Sequence, residues 1–179
     1  MAKYAVLLKG INVGGKKKVS MAELKVLLSD LGFTDVGTLL QSGNAVVGTA
    51  EKDQRKVAAR IEKGIADTFG MKVSVLIRTG ADLRAVIDAH PLAEVATNGS
   101  RMMALFLSDA PDPKLLAAND PTQLDPDRVR VGDRVIYQWC PDGVLEAPNV
   151  VGFVEKNLKV IVTGRNWNTV EKLSAMLEK

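Results

Sequence analysis

Hydrophobic and polar positions in the first part of the chain alternate between strand-like and helix-like patterns. Tyr4 to Leu8 is a continuous apolar run typical of a buried strand. A helix is predicted after Ser20, because Ser20 and Glu23 form a capping box, and Gly32 is expected to end it. The apolar stripe of this helix consists of Met21, Leu24, Leu27, Leu28 and Leu31.

A hairpin and a second helix follow in the pattern. Ser42-Gly43-Asn44 separates the segments Thr38 to Gln41 and Ala45 to Val47, which predicts two paired strands and a tight turn. Between Lys72 and Arg78, apolar residues alternate with others, which predicts a strand, and His90-Pro91 ends a short helix after it. The long helix before that strand is predicted from apolar residues spaced by four, which are Val57, Ile61, Ile65 and Phe69.

The second half of the chain repeats this order of elements. The predicted elements are a strand at Met102 to Leu107, a short helix at Pro113 to Ala118, a hairpin at Arg128 to Val131 and Arg134 to Cys140, a helix between Pro148 and Leu158, a strand at Val160 to Val162, and a last helix with Val170, Leu173 and Leu177.

Both halves therefore have the order βαββαβ followed by a helix, which is the ferredoxin-like motif. The predicted fold class is α+β, with two tandem ferredoxin-like subdomains. We place them at residues 1–93 and 101–179, on either side of a turn at Asn98-Gly99-Ser100. Side-chain identity between the halves is low, so the duplication is inferred from element order alone.

Composition narrows the class of protein. At 179 residues and 46% hydrophobic content, the chain can bury a core without metals or disulfides. Because the chain has a single cysteine, Cys140, no intrachain disulfide can form, which fits the cytoplasm. One cysteine and one histidine are also too few ligands for the usual zinc sites. No apolar window is long enough to span a membrane, and the first residues do not resemble a secretory signal. We expect a soluble cytoplasmic protein with no membrane partner, metal or cofactor.

Positive charge is concentrated near the N-terminus. Residues 1–91 carry 14 basic and 9 acidic side chains, whereas residues 92–179 carry 10 and 12. Five lysines precede the first acidic residue, Glu23, and a local cationic patch of this kind indicates an anionic partner. These lysines are Lys3, Lys9, Lys16, Lys17 and Lys18.

The most informative segment is the basic, glycine-rich loop at residues 9–18, between the first strand and the first helix. Gly10, Gly14 and Gly15 allow backbone N–H groups to face a ligand, and the helix N-terminus adds a positive dipole. The segment is therefore predicted to bind phosphate or carboxylate, although a solvated basic turn is an equally good interpretation. Lys17 stands where a nucleotide-binding P-loop needs a serine or threonine, and the G-x-G-x-x-G spacing is absent. We exclude P-loop and Rossmann nucleotide sites.

A second candidate segment precedes the last helix. Arg165 suits bidentate binding of an anion, and Trp167 could stack on a base. The favoured interpretation is structural, with Trp167 in the core, Arg165 paired with an acid, and Asn166 and Asn168 acting as caps.

Other candidate residues favour ordinary structural roles. Ser42 has no base near it in sequence, and His90 precedes a proline, so a serine hydrolase is not predicted. Tyr137 and Trp139 share a strand face, but the RNA-binding signature is absent and packing is favoured. Aspartates in the Asp-Pro-rich stretch at 120–127 could hold magnesium, although turns are the better interpretation.

Three runs of residues together resemble domain-of-unknown-function family 1697. They are Lys-Gly-Ile-Asn-Val-Gly-Gly-Lys at 9–16, Gln-Ser-Gly-Asn at 41–44 and Arg-Asn-Trp-Asn-Thr-Val at 165–170. The members of this family are mostly bacterial. The resemblance therefore implies a cytoplasmic protein with two related α+β subdomains and no established activity. Lys9 replaces the family's usual arginine, and Gly164 replaces a frequent threonine. With the lysines of the loop, the candidate ligand-binding residues are Lys9, Gly10, Asn12, Gly14, Gly15, Lys16, Ser42, Asn44, Arg165, Asn166 and Trp167.

Three functions stay open at this point. The first is binding of a nucleotide or nucleic acid at the glycine-rich loop, with a steep salt dependence if the ligand is nucleic acid. The second is an enzyme for a small phosphorylated or carboxylated substrate, which lacks an evident general base. The third is a structural or adaptor protein in which the runs at 41–44 and 165–169 stabilise the junction of the two halves.

Overall fold

The computed structural model describes residues 1–11, 18–39 and 43–179. Within these ranges the chain forms eight strands and six α-helices, together with short 3-10 turns. Their bounds are β1 Ala2–Leu8, α1 Met21–Asp30, β2 Thr34–Leu39, β3 Asn44–Thr49, α2 Gln54–Phe69, β4 Val75–Thr79, α3 Gly80–Asp88, β5 Met102–Leu107, α4 Pro113–Ala118, β6 Val129–Val131, β7 Val135–Trp139, α5 Val150–Leu158, β8 Val162–Asn166 and α6 Trp167–Leu177.

The strands form two antiparallel sheets of four strands each. The first has the order β2-β3-β1-β4, and the second has the order β6-β7-β5-β8. In both sheets the first strand in sequence is central and pairs with the third and the fourth. The chain is therefore an α+β protein, and the strand order of the first sheet is repeated in the second.

One face of the first sheet carries the main core of that part of the chain. Tyr4, Val6 and Leu8 alternate along β1 and lie in one buried cluster with the apolar stripes of α1 and α2. Burial of these apolar side chains is the main contribution to stability. The predicted stripes are confirmed, because Leu24 and Ile61 are fully buried at their centres.

The helix ends follow the predicted signals. Ser20 Oγ accepts a hydrogen bond of 3.0 Å from the backbone N–H of Glu23 and so caps α1. Gly32 and Gly70 follow α1 and α2 with φ angles of +93° and +67°, a conformation in which glycine is favoured.

The strand predicted between Lys72 and Arg78 is confirmed as β4, and it is buried on both faces. Val75 and Ile77 face the core, and Leu76 and Arg78 on the opposite face are each only 3% exposed. The opposite face of this sheet is covered in part by the end of α6, since a Cβ atom at Gly37 of β2 would lie 3.0 Å from Met176 Cε. A sheet covered on both sides has no solvent face to impose alternation.

The last strand also differs from the prediction at Val160 to Val162. Lys159 adopts a left-handed φ of +59° after α5, and Ile161 is 39% exposed. The strand β8 begins at Val162 and includes the segment read from the sequence as a turn, pairing Thr163 with Phe106 and Arg165 with Ala104 of β5. Polar residues occupy buried strand positions here, so the pattern alone indicated the wrong segment.

Contacts divide the chain into two compact units. The first unit consists of Met1–Leu83 together with Leu173–Lys179, and the second consists of Arg84–Lys172. These units are defined by contacts, whereas the boundary at Glu94 to Arg101 was inferred from the order of elements. That boundary between two duplicated halves stays a prediction. No helix in the described ranges is long and apolar enough to cross a membrane.

Candidate functional site

The first part of the glycine-rich loop is fixed by backbone hydrogen bonds at the end of β1. Leu8 N–H donates to the carbonyl oxygen of Gly43 at 2.9 Å, and Lys9 N–H donates to that of Ser74 at 2.9 Å. Gly10 then turns the chain with a φ of +73°. Among the described residues, no heavy atom would lie within 4 Å of a Cβ atom at Gly10, and Gly10 is exposed.

Two of the three family-like runs meet at this end of the first sheet. Gly43 lies so close to the loop that a Cβ atom there would be 2.9 Å from Ile11 Cγ1 and 2.9 Å from Leu8 Cβ. Ile11 itself is buried, with 1% of its surface exposed. Gly43 of the Gln-Ser-Gly-Asn run and Ile11 of the glycine-rich loop therefore lie against each other in the first unit.

Lys18, the last residue of the loop, lies shortly before the start of α1. Val19 is buried and Lys18 and Ser20 are exposed, so the loop rejoins the core immediately before the helix cap. Asn12, Gly14, Gly15, Lys16 and Ser42 lie outside the described residues.

Asn44 is the fully buried member of the candidate set. It begins β3, where it pairs with Leu7 of β1 and Leu39 of β2, and none of its surface is exposed. Because a buried amide must be hydrogen-bonded, its location suits a residue that holds the turn in place.

Arg165 is buried in β8 of the second unit. Its Nη1 atom donates to Thr163 Oγ1 and to the carbonyl oxygen of Gly164, both at 2.8 Å. Burial lowers the pKa of the guanidinium to about 10. Arg165 therefore still carries a proton at neutral pH.

Asn166 and Trp167 hold the start of α6. Asn166 Oδ1 accepts a hydrogen bond of 3.0 Å from Thr169 N–H, so Asn166 is the helix cap. The cap predicted at Asn168 is wrong, because α6 begins at Trp167 and Asn168 is already helical.

Trp167 belongs to an aromatic cluster with Tyr137 and His90. The indole is 8% exposed, and its ring centroid lies 4.3 Å from that of His90 and 6.2 Å from that of Tyr137. Tyr137 Oη donates a 2.8 Å hydrogen bond to the carbonyl oxygen of Val86. Trp167 and Tyr137 are therefore packed inside the fold, which confirms the favoured interpretation of these two residues.

His90 gives the second unit a pH-dependent contribution to stability. Its Nδ1 accepts a hydrogen bond from Leu92 N–H, and desolvation lowers its pKa more than the charge of Glu171 raises it. The neutral form is favoured in the fold, so this contribution is present above pH 6.5 and is lost as pH falls below that value.

We expect the urea midpoint to fall between pH 7.5 and pH 5, and His90→Asn to reduce that fall. An equal pH dependence in both proteins would contradict the assignment.

Arg78 was missed by the sequence interpretation, although it is the counterpart of Arg165. Arg78 pairs with Ala5 of β1, as Arg165 pairs with Ala104 of β5. Both side chains are buried, and in both Nη1 donates to the carbonyl oxygen of the preceding residue. In each sheet the arginine thus stands opposite an alanine of the central strand.

The residue after each arginine caps the following helix. Thr79 Oγ1 accepts from Asp82 N–H, and Asn166 Oδ1 accepts from Thr169 N–H, in both cases three residues ahead. An arginine followed by a capping residue and a helix thus occurs in both units. This repeat supports duplication on a side-chain basis that the order of elements did not provide.

The described residues contain no group of three or more His, Cys, Asp or Glu side chains placed to hold a metal ion. Cys140 is buried, with 1% of its surface exposed, and burial raises the pKa of its thiol. A raised pKa keeps the thiol protonated and unreactive.

These features define an α+β protein with two four-stranded antiparallel sheets and a glycine-rich loop at the end of the first sheet. The chain belongs to the family described as protein of unknown function (DUF1697), whose model matches residues 1–137. The matched range contains the glycine-rich loop and the Gln-Ser-Gly-Asn run, whereas Arg165 to Trp167 lie beyond it.

A solved structure with the same fold is that of a conserved bacterial protein from Streptococcus pneumoniae. The two sequences are 24% identical. The alignment covers 100% of this chain and 99% of the bacterial protein, with a TM-score of 0.76. No curated protein matches the sequence. These comparisons define the family and the fold.

Proposed function

We propose that the protein binds an anionic ligand, a nucleotide or a nucleic acid, at the glycine-rich loop. The observation that carries the proposal is the packing of Gly43 against Ile11, which brings two family-like runs to one end of the first sheet. Gly10 is exposed there with open space beside its backbone, as a close approach of phosphate to N–H groups requires.

Electrostatics support the same assignment. The loop is bounded by Lys9 and Lys18, with Lys16 and Lys17 between them in sequence. The helix α1 that follows has ten residues, so its N-terminal end presents a positive dipole to the same region. Lysines and a helix N-terminus both favour negative charge, and their effects add.

Removal of three loop lysines should weaken binding strongly. For Lys16→Ala/Lys17→Ala/Lys18→Ala we expect at least a tenfold weaker affinity for ATP or for short single-stranded RNA and DNA, because each lysine contributes phosphate attraction. Gel shifts with labelled oligonucleotides and thermal shifts with ATP measure the change, since a ligand selective for the folded state raises the melting midpoint.

The control for this variant is Lys52→Ala/Lys56→Ala/Lys156→Ala, which removes the same charge from exposed positions elsewhere. It should retain nearly all of the binding. Equal losses of affinity in the two triple variants would mean that the overall charge of the protein, and not the loop, causes the binding. An unmodified protein that binds none of these ligands at low salt would overturn the proposal.

We also propose that each half has the ferredoxin-like topology. The support is the βαββαβ order in each half, and the sheet orders β2-β3-β1-β4 and β6-β7-β5-β8, in which equivalent strands take equivalent places. The repeated arginine and cap add to that support.

A second candidate function, a structural one, is favoured for Arg165, Asn166 and Trp167. All three have their described interactions within the second unit, as a buried guanidinium, a helix cap and a packed indole. In this role they stabilise the fold and do not contact ligand. The cytoplasm is the proposed location, because the one thiol, that of Cys140, is buried and unpaired with another cysteine.

A further inference from the structure

An open apolar groove lies between α1 and the end of α2 in the first unit. Its volume is about 340 Å³, and its floor includes the buried side chain of Leu27 and the half-buried ring of Phe69. Val26, at the middle of α1, is 60% exposed in this groove. A large apolar side chain exposed in a concave, carbon-lined surface is typical of a binding site.

Two carboxylates flank the apolar part of the groove. Glu23 and Asp30 both line it and are both exposed, with Val26 between them on α1. Because residues three, four and seven apart share one face of a helix, these three side chains form a single stripe. At a rise of 1.5 Å per residue, the two carboxylates begin about 10 Å apart along the helix axis. The groove is thus acidic at both ends, although residues 1–91 carry a basic excess.

We propose that this groove binds a basic amphipathic helix of a partner protein. Such a helix would place apolar side chains against Val26 and Phe69, and a lysine or arginine opposite each of Glu23 and Asp30. A spacing of seven residues between its two cations reproduces the spacing of the two acids, and positions three and four residues after the first cation carry the apolar contacts. The groove is open to solvent, which suits helix-in-groove recognition better than enclosure of a small molecule.

The probe is a labelled, alanine-rich helical peptide of about 15 residues with two adjacent leucines and two lysines seven residues apart. A second peptide replaces both lysines with glutamate. Fluorescence anisotropy on the full chain should show that the lysine peptide binds more tightly, despite the net charge of +3 on the protein. In ¹⁵N-labelled protein, the amide shifts caused by the peptide should be confined to α1 and the end of α2.

Three variants test the contacts separately. Val26→Asp should weaken the lysine peptide at least tenfold, whereas Val95→Asp, at an exposed valine outside the groove, should leave the affinity unchanged. Glu23→Gln/Asp30→Asn should weaken it about three- to tenfold and reduce its salt dependence. Glu23→Lys/Asp30→Lys should reverse the preference toward the glutamate peptide, with circular dichroism confirming that α1 is intact.

Several results would overturn the proposal. They are equal affinity of the unmodified protein for both peptides, amide shifts located elsewhere, or no reversal in a folded lysine variant. Dimerisation that depends on Val26 in the absence of peptide would assign the groove to a second copy of this chain instead. If a groove variant does not fold, the shift map of the unmodified protein decides the outcome.

Discussion

Replacing Trp167 with alanine is expected to lower the free energy of unfolding by about 3–5 kcal/mol. The indole is 8% exposed, and its ring centroid lies 4.3 Å from that of His90 and 6.2 Å from that of Tyr137. Truncation removes these contacts and leaves a cavity that the surrounding fold fills only in part. Chemical denaturation followed by circular dichroism measures the loss.

The matched control for this change is the other tryptophan of the chain. Trp139 is half-buried at the end of β7, so Trp139→Ala should cost clearly less than Trp167→Ala. If Trp167 is structural, a milder variant, Trp167→Phe, should bind ATP and oligonucleotides as the unmodified protein does. Equal costs for the two alanine variants would contradict the assigned core position, and selective loss of binding in Trp167→Phe would make Trp167 a ligand contact.

Replacing Gly43 with alanine should cost about 2–4 kcal/mol from two separate causes. The φ of +81° is strained for any residue with a Cβ atom. The added methyl group would also lie 2.9 Å from both Ile11 and Leu8, closer than packed carbon atoms can approach. Leu8 must therefore shift, or the loop must move away from the sheet, and thermal or urea unfolding will register the cost.

Gly10→Ala separates these two causes. Gly10 has a similar φ of +73°, but in the described part of the chain no heavy atom lies within 4 Å of an added Cβ, so we expect only the backbone strain of about 1–2 kcal/mol. The difference between the two variants measures how tightly the turn and the loop are packed. If Gly10→Ala were as costly as Gly43→Ala, the packing of Gly43 against Ile11 would contribute nothing.

Elements with strong local signals were predicted well from the sequence. The β5 and α4 predictions agree with the structure at both ends, because Met102 to Leu107 is uniformly apolar and Pro113 begins a helix behind the capping residue Asp112. The start of α1 was predicted for the same reason, since Ser20 and Glu23 mark it in the sequence.

Elements decided by long-range pairing were predicted poorly. Val160 to Val162 has more strand-like residues than Thr163 to Asn166, yet pairing with β5 places the strand over the polar segment. Likewise, Arg78 and Leu76 are buried because another segment of the chain covers the second face of the sheet. Intrinsic preferences are weak compared with such tertiary contacts.

The candidate site shows the same contrast. The basic, glycine-rich loop could be found because charge and glycine content are properties of one segment. The contact between Gly43 and Ile11 could not be found in this way, because it joins separate segments. Arg78 had a weak signal, an Arg-Thr pair before a helix that matches Arg-Asn before the last helix, and an alignment of the two halves could have revealed it.

The first unit is not complete without Leu173–Lys179, which lie far from the rest of it in the sequence. Its sheet is built from residues that leave the ribosome early, but Leu173–Lys179 belong to the same unit, and Lys3 Nζ donates a hydrogen bond to the carbonyl oxygen of Lys179. During translation the nascent sheet therefore waits with apolar surface uncovered while the whole second unit, Arg84–Lys172, is synthesised. Deleting Leu173–Lys179 would consequently destabilise the unit that contains Met1–Leu83, although the two segments lie far apart in the sequence.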